Sequence, residues 1–180
     1  TMSRFALLDE KTATKPSAEL LAQIERAMGA RPAMFRAVAN SPAALKSMWG
    51  SFGALGGGKL GAALGEQLAV AIANRNRCEY CLAAHTALGQ GAGLSGATLA
   101  AAQRGQSGDP RTQAALTFVL KLVDARGAAS ASDVAAVRSA GFSDEEIVEL
   151  IAHTALNLYT NYINIALDVP VDFEPVALAA

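Results

Sequence analysis

The chain holds two cysteines and two histidines, and three of those four residues fall within RNRCEYCLAAH, residues 75–85. Cys78, Cys81 and His85 form the pattern C-x-x-C-x-x-x-H. Two thiols and an imidazole at this spacing can hold a metal, cycle between dithiol and disulfide, or attack an electrophile as a thiolate. Residues three and four apart share a helix face, so one helix would present all three groups along a single stripe. If Cys78 sits at a helix N-terminus, Cys81 falls in the first turn. There, unpaired backbone N–H groups and the helix dipole favour a thiolate.

Such a stripe needs an acid to orient or deprotonate the imidazole. Glu66 is the candidate, because it is the only charged residue between Lys59 and Arg75 on the most apolar helical stretch of the chain. A carboxylate in that setting is paired or has a raised pKa. The polar run NRNR, residues 74–77, predicts a break that folds the two helices back on each other and lets Glu66 face His85.

The elements that must position these groups read as helix after helix. PSAELLAQIERAMG starts at Pro16, with Ser17 as its cap, and stops at Gly29. PAMFRAVAN is a short segment, and Ser41 caps a helix with Pro42 at its first position. GGGK, residues 56–59, is a flexible break, after which LGAALGEQLAVAIANRN is apolar on nearly every side and therefore central. CEYCLAAHTALGQ, SGATLAAAQRG, an Asp109/Pro110-started helix and ASDVAAVRSAG follow. The last helix opens on a Ser143/Glu146 capping box and runs for about six turns. No alternating strand pattern appears, so the predicted fold is all-α, a single domain over 2–180 with an extended tail at 168–180.

The bulk numbers narrow the function. An apolar fraction of 52% fills a core, and a net charge of −1 with a pI near 6.1 leaves no basic footprint for nucleic acid. The start TMSRFALLDEKTATK has no signal-peptide h-region, and Thr1 ahead of Met2 reads as a residue left by an expression tag. No apolar run is long enough for a membrane span, and the expected compartment is the cytoplasm. Closely spaced cysteines in a reducing compartment are catalytic, redox-sensing or metal-binding.

E-x11-C-x-x-C-x-x-x-H, residues 66–85, resembles the motif of the AhpD-like alkylhydroperoxidases of the carboxymuconolactone decarboxylase superfamily. TNYINIALDVPVDFEP resembles the Asn-rich last helix and Asp-Phe tail of its peroxidase-related branch. The resemblance implies an AhpD-like helical bundle and a cofactor-free thiol peroxidase acting on organic hydroperoxides or hydrogen peroxide. It makes Cys81 the peroxidatic cysteine, Cys78 the resolving one, and His85 with Glu66 the proton relay. It also implies a dithiol electron donor, a lipoyl-bearing protein in the best-known members, and a homo-oligomer, trimeric or hexameric. Archetypal members carry His just before the second cysteine, where this chain has Tyr80. The decarboxylase branch lacks the cysteine pair, which argues against lactone decarboxylation.

Two further readings stand beside this one. Zinc could take Cys78, Cys81 and His85, with Glu66 or His153 as a fourth ligand, although structural zinc usually draws on two knuckles and no second cysteine pair exists. The pair could also serve as a redox switch without turnover, or as a reductase of protein disulfides. His153 reads as a satisfied core or interface residue, with a place in a proton relay as the lesser alternative, and Met28, Met34, Trp49 and Phe52 read as core. Asn157, Asn161 and Asn164 form a polar stripe that lines either the active site or a subunit contact.

Overall fold

The computed structural model describes residues 3–180, so the tag reading at Thr1 lies outside the described residues. Among the described residues there are nine helices and no strand. They are α1 (Lys15–Met28), α2 (Ala33–Val38), α3 (Pro42–Gly56), α4 (Ala62–Arg75), α5 (Glu79–Gly91), α6 (Gly96–Gln103), α7 (Pro110–Asp124), α8 (Ala131–Ser139) and α9 (Asp144–Leu167).

Local capping chemistry sets most of the boundaries. Ser41, Ser95, Asp109, Ser130 and Ser143 each accept a hydrogen bond from a backbone N–H in the first turn of the helix they precede. Ser130 and Ser143 belong to full capping boxes with Asp133 and Glu146. The expected cap at Ser17 is not formed. α1 starts one residue before Pro16, and Ser17 lies inside it, buried, donating to Ala39 O at 2.8 Å. The carbonyl of Ala39, the C-cap of α2, takes up the hydroxyl instead of the helix's own first turn.

Two cores meet at α4. Its Val70 and Ala73 join Leu21, Ile24, Phe35, Leu45 and Met48 on one side. Leu64, Leu68 and Ile72 join Leu116, Val119, Phe142 and Leu150 on the other. Packed by α5, α6, α7 and α9, this helix buries Leu64 and every residue from Gln67 to Ala73, which explains its apolar sequence. The segment 56–59 is tied down rather than free: Glu149 Oε2 accepts from the backbone N–H groups of Lys59 and Leu60 at 2.8 and 3.2 Å. A Cβ at Gly58 would lie 2.7 Å from that carboxylate, so a side chain there would push Glu149 away from these two bonds.

The tail beyond Leu167 has no regular secondary structure and packs on its own chain. Asp172 accepts from the backbone N–H of Ala33 and, at 3.0 Å, from the Tyr80 hydroxyl. Phe173 meets the Tyr80 ring edge-on at 5.8 Å, and Ala179 N–H donates to Asn74 Oδ1 at 2.9 Å.

Candidate active site

The break after α4 positions the first thiol. Arg77 adopts a left-handed conformation with φ of 57°, which turns the chain so that Cys78 N–H reaches back to Ala73 O at 2.9 Å. Cys78 is thereby the N-cap of α5, and its sulfur accepts from Cys81 N–H at 3.3 Å. Both thiols are free and buried, at 1% and 2% exposure.

The α4–α5 turn also brings the predicted acid to the imidazole. His85 Nδ1 and Glu66 Oε2 are 2.8 Å apart, and both side chains are largely buried. The four residues singled out from sequence therefore converge as two pairs: a thiol pair at the N-terminus of α5 and a carboxylate–imidazole pair one turn further on. Among the described residues no direct hydrogen bond joins His85 to either sulfur, and no group of three His, Cys, Asp or Glu side chains is arranged to hold a metal.

Cys81 and His85 line one cavity of about 200 Å³. Its walls are apolar: Met28, Met34, Phe35, Trp49, Phe52 and Phe173. Trp49 and Phe52 both pack edge-on against Phe35, at 5.7 and 5.9 Å. Met28, Trp49 and Phe52, expected in the core, are instead partly exposed side chains of this wall. An apolar residue reads the same in sequence whether it faces a packed core or a cavity.

The electrostatics separate the two thiols. Burial opposes ionisation of Cys81. The hydrogen bond from the Cys78 thiol, the charge of His85, and the amides of Asn164 and Asn161 outweigh it and bring its pKa down to about 7. Asn164 Nδ2 lies 3.2 Å from Cys81 Sγ. The hydrogen bond to Cys81, together with burial, pushes the Cys78 thiol far up, so the pair's one accessible ionisation rests on Cys81. Burial disfavours a charged His85, but the Glu66 carboxylate, by charge and hydrogen bond, raises its pKa above the ordinary imidazole value.

The asparagine stripe resolves unevenly. Asn164 belongs to the thiolate, as above. Asn161 Oδ1 accepts from Asn76 Nδ2 at 2.8 Å, fixing the α4–α5 turn to α9. Asn157 caps no group of the site and donates to His153 O one turn back, at 2.9 Å. His153 is half-buried in a separate cavity behind Glu66, and burial depresses its pKa. Two residues that sequence reasoning left without a role complete the site. Tyr80, buried and with its phenol pKa raised by burial, ties the tail through Asp172. Asp172 itself carries the only clue sequence offered, the Asp-Phe pair of the tail.

Comparison with known proteins follows the same lines. Residues 42–125, spanning α3 to α7 and all four site residues, match the carboxymuconolactone decarboxylase family. A peroxidase-related protein with an alkylhydroperoxidase AhpD core from Ralstonia eutropha JMP134 superposes with a TM-score of 0.84 at 22% identity, covering 96% of this chain and 93% of its own. A peroxidase-related protein from Silicibacter sp. TM1040 gives 0.77 at 23% identity, covering 91% and 86%. The debrominase Bmp8, in complex with 2,3,4-tribromopyrrole, gives 0.72 at 18% identity, covering 86% and 84%. No curated protein matches the chain. At these identities the superpositions establish the AhpD-like helical fold.

Proposed function

We propose that this chain is a member of the AhpD/carboxymuconolactone decarboxylase superfamily and a thiol-dependent peroxidase that reduces organic hydroperoxides through a dithiol/disulfide cycle. The observation that carries the reading is Cys81. Its thiolate is stabilised by Asn164 and Cys78 and stands in an apolar cavity with the Glu66–His85 pair on the wall.

In this mechanism the Cys81 thiolate attacks the distal peroxide oxygen, and the O–O bond breaks. The sulfur becomes a sulfenic acid, and the departing alkoxide takes the proton from His85, whose charged form Glu66 holds in place. The Cys78 thiol then attacks the sulfenic sulfur, forming the disulfide and releasing water. A dithiol donor returns two electrons by exchange and restores the Cys81 thiolate and the His85 proton. The apolar walls favour alkyl or aryl hydroperoxides over hydrogen peroxide, because bringing apolar surface out of water adds roughly 25 cal/mol per Å². The same reading includes a homo-oligomer and a cytoplasmic setting. Among the described residues no helix is long and apolar enough to cross a membrane.

The burial of both sulfurs disfavours direct attack on the disulfide of a folded protein. The arrangement of the four residues as two hydrogen-bonded pairs disfavours a zinc site. The aromatic cavity wall supports one other class, a halogenated arene like the ligand of Bmp8. Release of bromide from 2,3,4-tribromopyrrole by the reduced protein, without comparable turnover of hydroperoxide, would select that class.

The test is to mix pre-reduced, metal-free protein with one equivalent of cumene hydroperoxide and count free thiols over time. Both thiols disappear rapidly in wild type, Cys81→Ser abolishes the loss, and Glu66→Gln slows it. Thiols that persist in all three proteins would refute the peroxidase reading for this substrate.

A further inference from the structure

The two sulfurs line different spaces. Cys81 lines the apolar cavity and Cys78 does not. Cys78 instead lines a groove of about 230 Å³ with Arg77, Glu79, Asp168 and Val171, from which Cys81 is absent. Tyr80 and Asn164 border both spaces and form the partition between them. The two spaces also differ in chemistry, one walled by aromatic and methionine side chains, the other by charged residues and the first residues of the tail.

Backbone strain marks the groove independently. Only three described non-glycine residues have positive φ, and two of them, Arg77 at 57° and Asp168 at 52°, stand on its two sides. Such conformations are uncommon and concentrate at functional sites. The Arg77 turn sets Cys78 against the groove. The Asp168 turn ends α9, with Val169 N–H bonded to Asn164 O at 3.0 Å, and directs Pro170 and Val171 along the opposite wall.

We propose that this groove is the entry site for a slender reducing dithiol, which attacks Cys78 of the oxidised pair and expels Cys81. The proposal rests on the dithiol/disulfide cycle described above, but not on peroxide being the oxidant. One thiolate of the donor forms a bond to Cys78 Sγ, the Cys78–Cys81 bond breaks, and Cys81 departs with the electron pair. The donor's second thiol then displaces Cys78, which leaves as the protonated thiol. The donor becomes a disulfide, and the one remaining proton is taken up by His85. Exchange is faster when the leaving thiol has the lower pKa, and Cys81, at about 7, is that thiol. A sulfur with 1% exposure, lining a groove of about 230 Å³, admits a small dithiol or a dithiol on a flexible arm, not the surface cysteine of a folded reductase. Separate entrances also mean that bound peroxide does not block the donor.

The test forms the disulfide with diamide, so it proceeds even if the peroxidase reading fails. Reduction by dithiothreitol is then followed by counting thiols in wild type, Val171→Trp, Ile165→Trp and Leu88→Trp. Val171 and Ile165 are exposed groove residues, and Leu88 stands at the apolar cavity. The two groove variants slow reduction by an order of magnitude or more, while Leu88→Trp reduces at the wild-type rate. In wild type, limiting 2-mercaptoethanol followed by iodoacetamide places the mixed disulfide on Cys78 and the alkyl group on Cys81. Reduced thioredoxin, as a folded donor, acts more slowly than dithiothreitol. Groove variants that reduce at the wild-type rate, a mixed disulfide on Cys81, or faster reduction by thioredoxin would each overturn the proposal.

Discussion

In the proposed mechanism Asn164 and Glu66 act on the same thiolate by different routes, and each can be removed without touching a sulfur. Asn164 donates to Cys81 Sγ directly, and a hydrogen bond to a charged group contributes about 1.5–3 kcal/mol. Asn164→Leu should therefore raise the Cys81 pKa by about 1–2 pH units. Glu66 acts through His85: without the carboxylate the imidazole pKa falls, its positive charge is lost near neutrality, and Cys81 loses an attractive neighbour. Glu66→Gln should raise the Cys81 pKa by about one pH unit. The sign is open to direct check. Only the thiolate reacts with iodoacetamide, so wild-type alkylation rises as pH increases through about 7 and levels off above it. Both variants should move that midpoint upward and leave the plateau unchanged, and an unchanged midpoint would remove these residues from the activation of Cys81.

At the scale of elements, the α4–α5 turn, α9 and the tail share the positioning. Ser143 caps α9 far from the thiols, so Ser143→Ala should cost about 1 kcal/mol in urea unfolding while leaving the alkylation midpoint in place. Asp172→Ala removes the acceptor for both Tyr80 and the Ala33 N–H. Hydrogen exchange should then quicken along 168–180 and in the first turn of α2, without global unfolding. Much of this level was legible in the sequence, because caps are local. Ser41, Asp109 and Ser143 each accept from a backbone N–H three residues on, those of Ala44, Thr112 and Glu146. Ser17 misleads because its partner, Ala39 O, lies 22 positions away. The meeting of Glu66 with His85 was readable because NRNR supplies the break and an apolar helix leaves the carboxylate few partners. The Tyr80–Asp172 link was not, since 92 residues separate the two side chains.

Over the whole molecule the arrangement is a partition. α4 carries both cores and the acid, α5 carries the thiols and the imidazole, and α9 supplies the amide that divides an apolar cavity from a polar groove. The all-α class follows from periodicity and caps, but the cavity does not. Trp49 and Phe52 have the same sequence signature as core residues, and only the packing of α2, α3 and the tail leaves space before them. Filling that space should separate substrates: Phe52→Trp should slow oxidation by cumene hydroperoxide more than by hydrogen peroxide. Equal slowing of both would argue against the cavity as the substrate site.

The central claim is that Cys81, and not Cys78, takes the oxygen. The most direct measurement traps the sulfenic acid with dimedone in Cys78→Ser and in Cys81→Ser after one equivalent of cumene hydroperoxide, and locates the adduct by peptide mass spectrometry. The account predicts a stoichiometric adduct on Cys81 in Cys78→Ser and none on Cys78 in Cys81→Ser. An adduct that forms on Cys78 as readily, or no adduct on Cys81, would contradict it.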